Sequence, residues 1–244
     1  MATPLFNNEI LKLRRRLGDI FTADGTEITS ANIESVDGSI FSKSELADAY
    51  NDAVRLFIDY VIRMYPKSAW YNYIPGYIIL AINVALVNGK LDFSGILPTP
   101  YKIIDVRKYN SGTYTPSDLM TEIAPGEYFS IASGLVKTRQ PSANNLFWTV
   151  LSESSPSGSI TNLHILGGAN AVDLIYIQRH ENISYGGSKD INGISSTGLD
   201  TVLLFAEKNA RRYRIEEVGG IPESELKNKL EFDLRTKDLE MKGE

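Results

Sequence analysis

Pro75-Gly-Tyr-Ile-Ile-Leu-Ala-Ile-Asn-Val-Ala-Leu-Val-Asn-Gly89 is the stretch on which the reading of this chain turns. It is apolar nearly all round, from Tyr77 through Ile78, Ile79, Leu80, Ile82, Val84 and Leu86 to Val87, and only Asn83 breaks it. A helix that is apolar on every side is one buried on several sides. Pro75 suits a first turn and Asn88-Gly89 suits a C-cap. The run falls short of the roughly 20 apolar residues that span a bilayer. The sequence therefore predicts a buried helix here, the central rod of a helical part. Asn83 would then set a helix–helix register or be a satisfied core amide.

Such a rod needs helices around it. Upstream, Ser42 and Glu45 form an S-x-x-E capping box, with Phe41 and Leu46 placed for a hydrophobic staple. Its stripe runs through Ala49/Tyr50, Ala53, Phe57, Tyr60/Val61 and Met64 until Pro66 stops it. At 1.5 Å per residue this helix is about 35 Å long. Before it, Asn7 or Asn8 caps a helix with Ile10, Leu13, Leu17 and Ile20 on one stripe, and Lys12, Arg15, Arg16 and Asp19 off it.

Downstream, the texture changes at Leu97-Pro98-Thr99-Pro100. From there to about Arg179 the chain reads as strands at 101–109, 127–132, 146–151, 160–166 and 172–178, punctuated by Asn110-Ser-Gly112, Pro125-Gly126, Ser157-Gly158 and Gly167-Gly168. Asp173 interrupts the last of them. Residues 182–198 read as a loop, and a helix returns with Thr197 as its cap and Leu199, Val202/Leu203, Ala206, Ala210 and Tyr213 as its stripe. Beyond Gly219-Gly220, Leu226, Leu230 and Leu234 recur every four residues on a charged segment. The sequence thus predicts an α+β fold. A helical part at 1–97 and 182–220 carries an inserted small antiparallel β barrel or sandwich at 98–181, with a C-terminal extension helix at 221–244.

The composition narrows the chemistry. Among 244 residues there is no cysteine and there are two histidines, which removes thiolate metal sites, disulfides and cysteine nucleophiles. His164 and His180 with Asp173 or Glu181 could be imagined as a metal site, but no spacing supports it and partly buried strand histidines are the plainer reading. No Walker, G-x-G-x-x-G, H-E-x-x-H or EF-hand motif occurs, and Gly193-Ile-Ser-Ser-Thr-Gly198 lacks nucleophile-elbow spacing. No catalytic, cofactor-binding or metal residue is assigned, and no cofactor. Net charge is −5, against a general grip on nucleic acid. Met1-Ala-Thr-Pro4 does not open like a secretory signal, so synthesis in the cytoplasm is expected.

Two basic clusters stand out, Lys12-Leu-Arg-Arg-Arg16 and Arg211-Arg-Tyr-Arg214. They read either as contacts to phosphates or an acidic partner, or as solvated helix faces, the second also favoured by the helix dipole at its C-terminus. The C-terminal segment, with 9 acidic and 5 basic groups over residues 216–244, cannot stand alone as a helix in water. It either frays or docks on a surface.

The order of elements resembles the head-to-tail adaptor (connector) proteins of tailed bacteriophages, of the short-tailed and crAss-like kinds. Phe41-x-x-x-Glu45-Leu46-x-x-x-Tyr50-Asn51-x-Ala53 is similar to that family's second helix, Pro98-x-x-x-Lys102-Ile-Ile-Asp-Val106 to its entry into the β module, and Gly198-Leu-Asp200 to Ala210 to its returning helix. The likeness spans about residues 40–215. It implies a virion structural protein at the head–tail junction, in a closed ring of about twelve copies beneath the portal protein. Its other partners are the tail or the next neck ring, with DNA sliding through an acidic lumen without specific binding, and no membrane. Arg14, Arg15, Arg16, Arg211, Arg212, Arg214, Leu226, Leu230 and Leu234 are then the candidate subunit or portal contacts. Two other readings are another virion part, such as a tail terminator or fibre-attachment protein, and a carboxylate-dependent glycan hydrolase, which needs two acids facing one cleft of the β module.

Overall fold

The computed structural model describes residues 6–110, 118–136, 140–142, 145–155, 158–185 and 193–218. The chain divides into a helical unit, Met1–Gly76 with His180–Glu244, and a β unit, Tyr77–Arg179. The fold is α+β.

The helical unit forms from the signals its sequence carries. In α1 (Phe6–Leu17) Ile10 and Leu13 are fully buried. In α2 (Lys43–Met64) both halves of the capping box are made: Glu45 N donates to Ser42 Oγ at 3.2 Å and Ser42 N donates to Glu45 Oε2 at 2.7 Å. Two otherwise orphaned N–H groups are thereby satisfied. Pro66 ends α2 and then caps α3 (Lys67–Tyr73), whose Trp70 is buried with Nε1 donating to Tyr65 O at 2.9 Å. The returning helix, α5 (Ser196–Val218), starts earlier than its expected Thr197 cap. Ser195 does the capping: Gly198 N donates to its Oγ at 3.2 Å. Along α5, Val202, Ala206 and Ala210 are fully buried, and α5 packs along α2. At Gly198 a Cβ would stand 2.9 Å from the Phe57 ring and 2.6 Å from Ile194, so glycine lets the first turn of α5 settle on α2.

The β unit overturns the decisive expectation. Pro75–Tyr77 is one 3₁₀ turn, and Ile78–Ala85 is a strand, β1, not a buried helix. Asn88 (φ 54°) and Gly89 (φ 71°) are both left-handed, and Val87 and Lys90 exchange backbone bonds of 2.9 and 3.0 Å across them. That is a two-residue hairpin turn leading into β2 (Lys90–Asp92), the job Asn-Gly does best. Asn83 sits at a β-bulge with φ 56°, and its N–H donates to the buried Asp173 at 2.7 Å. Asp173 interrupts its apolar strand because it holds this bulge. The helix expected at 75–89 thus becomes the opening hairpin, and the β unit begins at Tyr77 instead of 98.

The remaining strands are β3 (Pro100–Lys108), β4 (Thr121–Glu122), β5 (Phe147–Ser155), β6 (Gly158–Leu166) and β7 (Ala171–Gln178). They make two sheets, ordered β1-β7-β3 and β2-β6-β5-β4; the pairing is antiparallel except between β4 and β5. Val106, Val172, Leu174 and Tyr176 of the first sheet and Trp148, Leu163 and Ile165 of the second share one core, so the unit is a two-sheet packing and no closed barrel occurs among the described residues. Residues 127–132, expected as a strand, lie in helix α4 (Pro125–Ala132), with Pro125 at its first turn. Its Ile131 covers the far face of β5 with Ile123 and Phe147.

β1 and β7 run antiparallel with Ile78 opposite Ile177. The two ends of the β unit therefore leave it as neighbours, which is what an insertion between α3 and α5 requires.

Candidate functional site

The residues singled out on the first helix do not share one face. Arg14 is fully buried and is no surface contact. Its Nη1 pairs with Asp19 Oδ2 at 2.5 Å and donates to Phe41 O at 3.2 Å. Asp19, also fully buried, accepts from Ile40 N at 2.8 Å and Phe41 N at 3.2 Å. The pair ties the end of α1 to the entry of α2. The helical period was the available signal: Arg14 falls four residues after Ile10 and three before Leu17, on the buried stripe, whereas Arg15 and Arg16 fall off it.

Arg15 and Arg16 are exposed as expected. Arg16 reaches Glu207 Oε2 of α5 at 3.9 Å, and Arg211 Nη2 donates to Glu207 Oε1 at 2.8 Å. The two basic clusters, far apart in sequence, thus meet around a single carboxylate. Arg212 leaves this cluster and lines a groove of about 460 Å³ between α2 and α5 with Asp52, Arg55, Leu56, Asn209 and Tyr213. Tyr213 donates its phenol proton to Asp52 Oδ2 at 3.1 Å, and Arg55 Nη1 pairs with Asp52 Oδ1 at 2.5 Å. Burial first, and then the bond to Asp52, hold the Tyr213 phenol above its ordinary pKa. Leu56 and Tyr213 are 46% and 41% exposed, so the groove offers apolar surface between charges. Arg214 continues α5, and only its backbone is described. Leu226, Leu230 and Leu234 lie outside the described residues.

A second set of residues escaped the sequence. Asn51, buried in α2, donates through Nδ2 to Ala47 O at 2.8 Å and to Ile183 O at 3.0 Å, while its Oδ1 accepts from Ile183 N at 2.9 Å. Two carbonyls on Nδ2 fix the amide orientation, so His180 Nε2, 3.0 Å from Oδ1, must be the donor. That bond places a proton on Nε2, and the charge state is set by the surroundings. Burial, reinforced by the Arg55 guanidinium, pushes its pKa from 6.5 down to about 4. An asparagine inside an apolar stripe was the available signal, and it marks where segment 180–183 is clamped after the insertion.

The β unit holds its own cleft, about 570 Å³, floored by Phe93, Ile103, Trp148 and Val150 and rimmed by Tyr101, Lys102, Arg179 and Glu122 among others. Glu122 is the one carboxylate in its described lining. His164, in β6, stacks edge-on against Tyr128 at 5.4 Å. Among the described residues, no three His, Asp or Glu side chains gather to hold a metal ion, and no helix is long and apolar enough to cross a membrane.

Set beside known proteins, the chain matches no family model and no curated protein in sequence.

Proposed function

We propose that this chain is a structural protein of the tailed-bacteriophage neck, a ring subunit that joins the portal to the tail and continues the DNA channel. The observation that carries the reading is the insertion itself. A helical unit whose returning helix α5 packs along α2 is interrupted by a two-sheet unit with adjacent ends; helices before and after a β insertion agree with the resemblance, although the insertion opens at Tyr77 and not at Pro98, where the resemblance put its entry. The helical unit also offers unlike surfaces on one chain: the charged face of Arg16, Glu207 and Arg211, and the α2–α5 groove. Closed rings larger than a dimer need two different patches meeting head to tail. Net negative charge suits a conduit that must let phosphates slide.

In this reading the subunits form a ring of about twelve on the portal, and the tail or the next neck ring binds the far side. The test is negative-stain imaging of the protein mixed with candidate portal rings. Extra ring density on one end of the portal is expected, with loss of that density in the Arg15→Glu/Arg211→Glu variant. Bare portals at saturating protein, across the candidate set, overturn the assignment.

A further inference from the structure

We infer that the α2–α5 groove is the docking site for the C-terminal segment 221–244 of a neighbouring copy of this chain. The groove is open, about 460 Å³, and lies between two packed helices. Its floor is Leu56 and the Tyr213 ring, both more than two fifths exposed. Two packed helices leave a trough that a third can fill by setting its side-chain ridge into theirs. A row of leucines at every fourth residue is such a ridge, and Leu226, Leu230 and Leu234 supply one.

Charge agrees with shape. Arg55, which pairs through Nη1 with Asp52 and through Nη2 with Asn182, and the exposed Arg212 line the groove, Asp52 is the one carboxylate in its described lining, and residues 221–244 carry 7 acidic and 5 basic groups. Glu223, Glu225, Glu231 and Asp233 lie among the leucines, where they can face the guanidiniums. The position of the segment matters too. The chain passes the groove at Tyr213 and runs to Val218 as α5, so 26 residues follow the described helix. Fully extended, they reach up to about 90 Å, far enough for an adjacent subunit.

The choice of a neighbour over the same copy rests on the ring reading above. A groove and a tail are unlike patches, so their pairing between copies is heterologous and repeats around a ring. Pairing within one copy would consume both patches and link nothing.

The probe is a fluorescently labelled peptide of residues 221–244, followed by anisotropy against the full chain, diluted until light scattering reports single copies. Saturable binding is expected, weakened about tenfold or more in the Leu56→Glu/Arg212→Glu variant. Both replaced side chains are exposed, and circular dichroism checks that the variant stays folded. Lys102→Glu, a charge change in the β-unit cleft, should bind as the parent does. A full chain carrying Leu226→Asp, Leu230→Asp and Leu234→Asp should also take up the peptide as the parent does. Binding by that variant but not by the parent means the tail already fills its own groove, which overturns the neighbour assignment. No binding to either chain, or equal binding to the groove variant, overturns the site. Portal imaging is independent: peptide binding without portal density keeps this site and removes the neck.

Discussion

Arg14 and Asp19 are two opposite charges with no exposure to water, 2.5 Å apart, at the seam between α1 and α2. Taking both out of water costs several kcal/mol each, offset by their attraction and by the Ile40 and Phe41 N–H groups that Asp19 accepts. Such a pair is worth little over a well-packed apolar one, yet removing half of it leaves a buried charge. Arg14→Leu should lower stability by about 3–5 kcal/mol, read as the urea midpoint. Gly38 is the seam's other requirement, since a Cβ there would run into Asp19 Oδ2 and Arg14 Nη1. Gly38→Ala should cost about 1–3 kcal/mol, whereas Gly25→Ala, with open space around it but a positive φ of 84°, tests backbone strain alone. His180 makes a different prediction. Its folded pKa lies below its unfolded one, so the folded state resists protonation. The stability tied to its neutral form is complete above about pH 6.5 and drains away as pH falls toward 4, by about 3 kcal/mol. Urea midpoints from pH 7.5 to 4.5 should fall more steeply for the parent than for His180→Gln; parallel slopes would refute the neutral, buried assignment.

At the scale of elements, residues 75–89 show what composition hides. A short apolar run fits a buried helix and a buried strand equally by periodicity, and length and β-branching must decide. Ile78, Ile79, Ile82 and Val84 favour the strand, and Asn88-Gly89 is as much a hairpin signal as a helix cap. The capping box at Ser42, the strands around 101–109 and 172–178, and the return of a helix near 198 were legible because each is local. Residues 127–132 read as a strand: their apolar residues pack on β5 from outside the main core, and Pro125, which starts the helix, serves a turn equally well. The candidate site was half legible. The clusters could be named, but Glu207 meets Arg16, and Asn51 meets 180–183, across more than a hundred residues of sequence. The hairpin reading has its own check. Gly89 has φ 71° and its Cβ would meet Ile165 O at 3.0 Å, so Gly89→Val should cost about 1–3 kcal/mol. Gly95→Ala, with nothing within 4 Å and no positive φ, should be close to neutral. Equal effects at the two sites would speak against the left-handed turn.

At the scale of the whole molecule the argument concerns continuity. The β unit is one uninterrupted segment, Tyr77–Arg179, with a core drawn from both of its own sheets. The helical unit is two segments, and α5 can pack on α2 only after the insertion has been made. Because Ile78 lies opposite Ile177, the chain enters and leaves the β unit across one antiparallel pair, about 5 Å apart. The helical unit therefore sees the insertion as a closed loop, whatever its length, and loop-closure entropy grows only slowly with length when the ends are held. Two consequences follow. Residues 77–179, expressed alone, should unfold in a single cooperative transition followed by the fluorescence of Trp148, the one tryptophan they contain. A chain in which a short Gly-Ser bridge joins Gly76 to His180 should keep the helical signal and the fluorescence of buried Trp70, with the His180–Asn51 clamp intact and the same loss of stability between pH 6.5 and 4. If the bridged chain folds but its acid sensitivity disappears, the clamp depends on the β unit. The two units would then be one cooperative body, and the insertion would be part of the helical core's stability instead of a passenger on it.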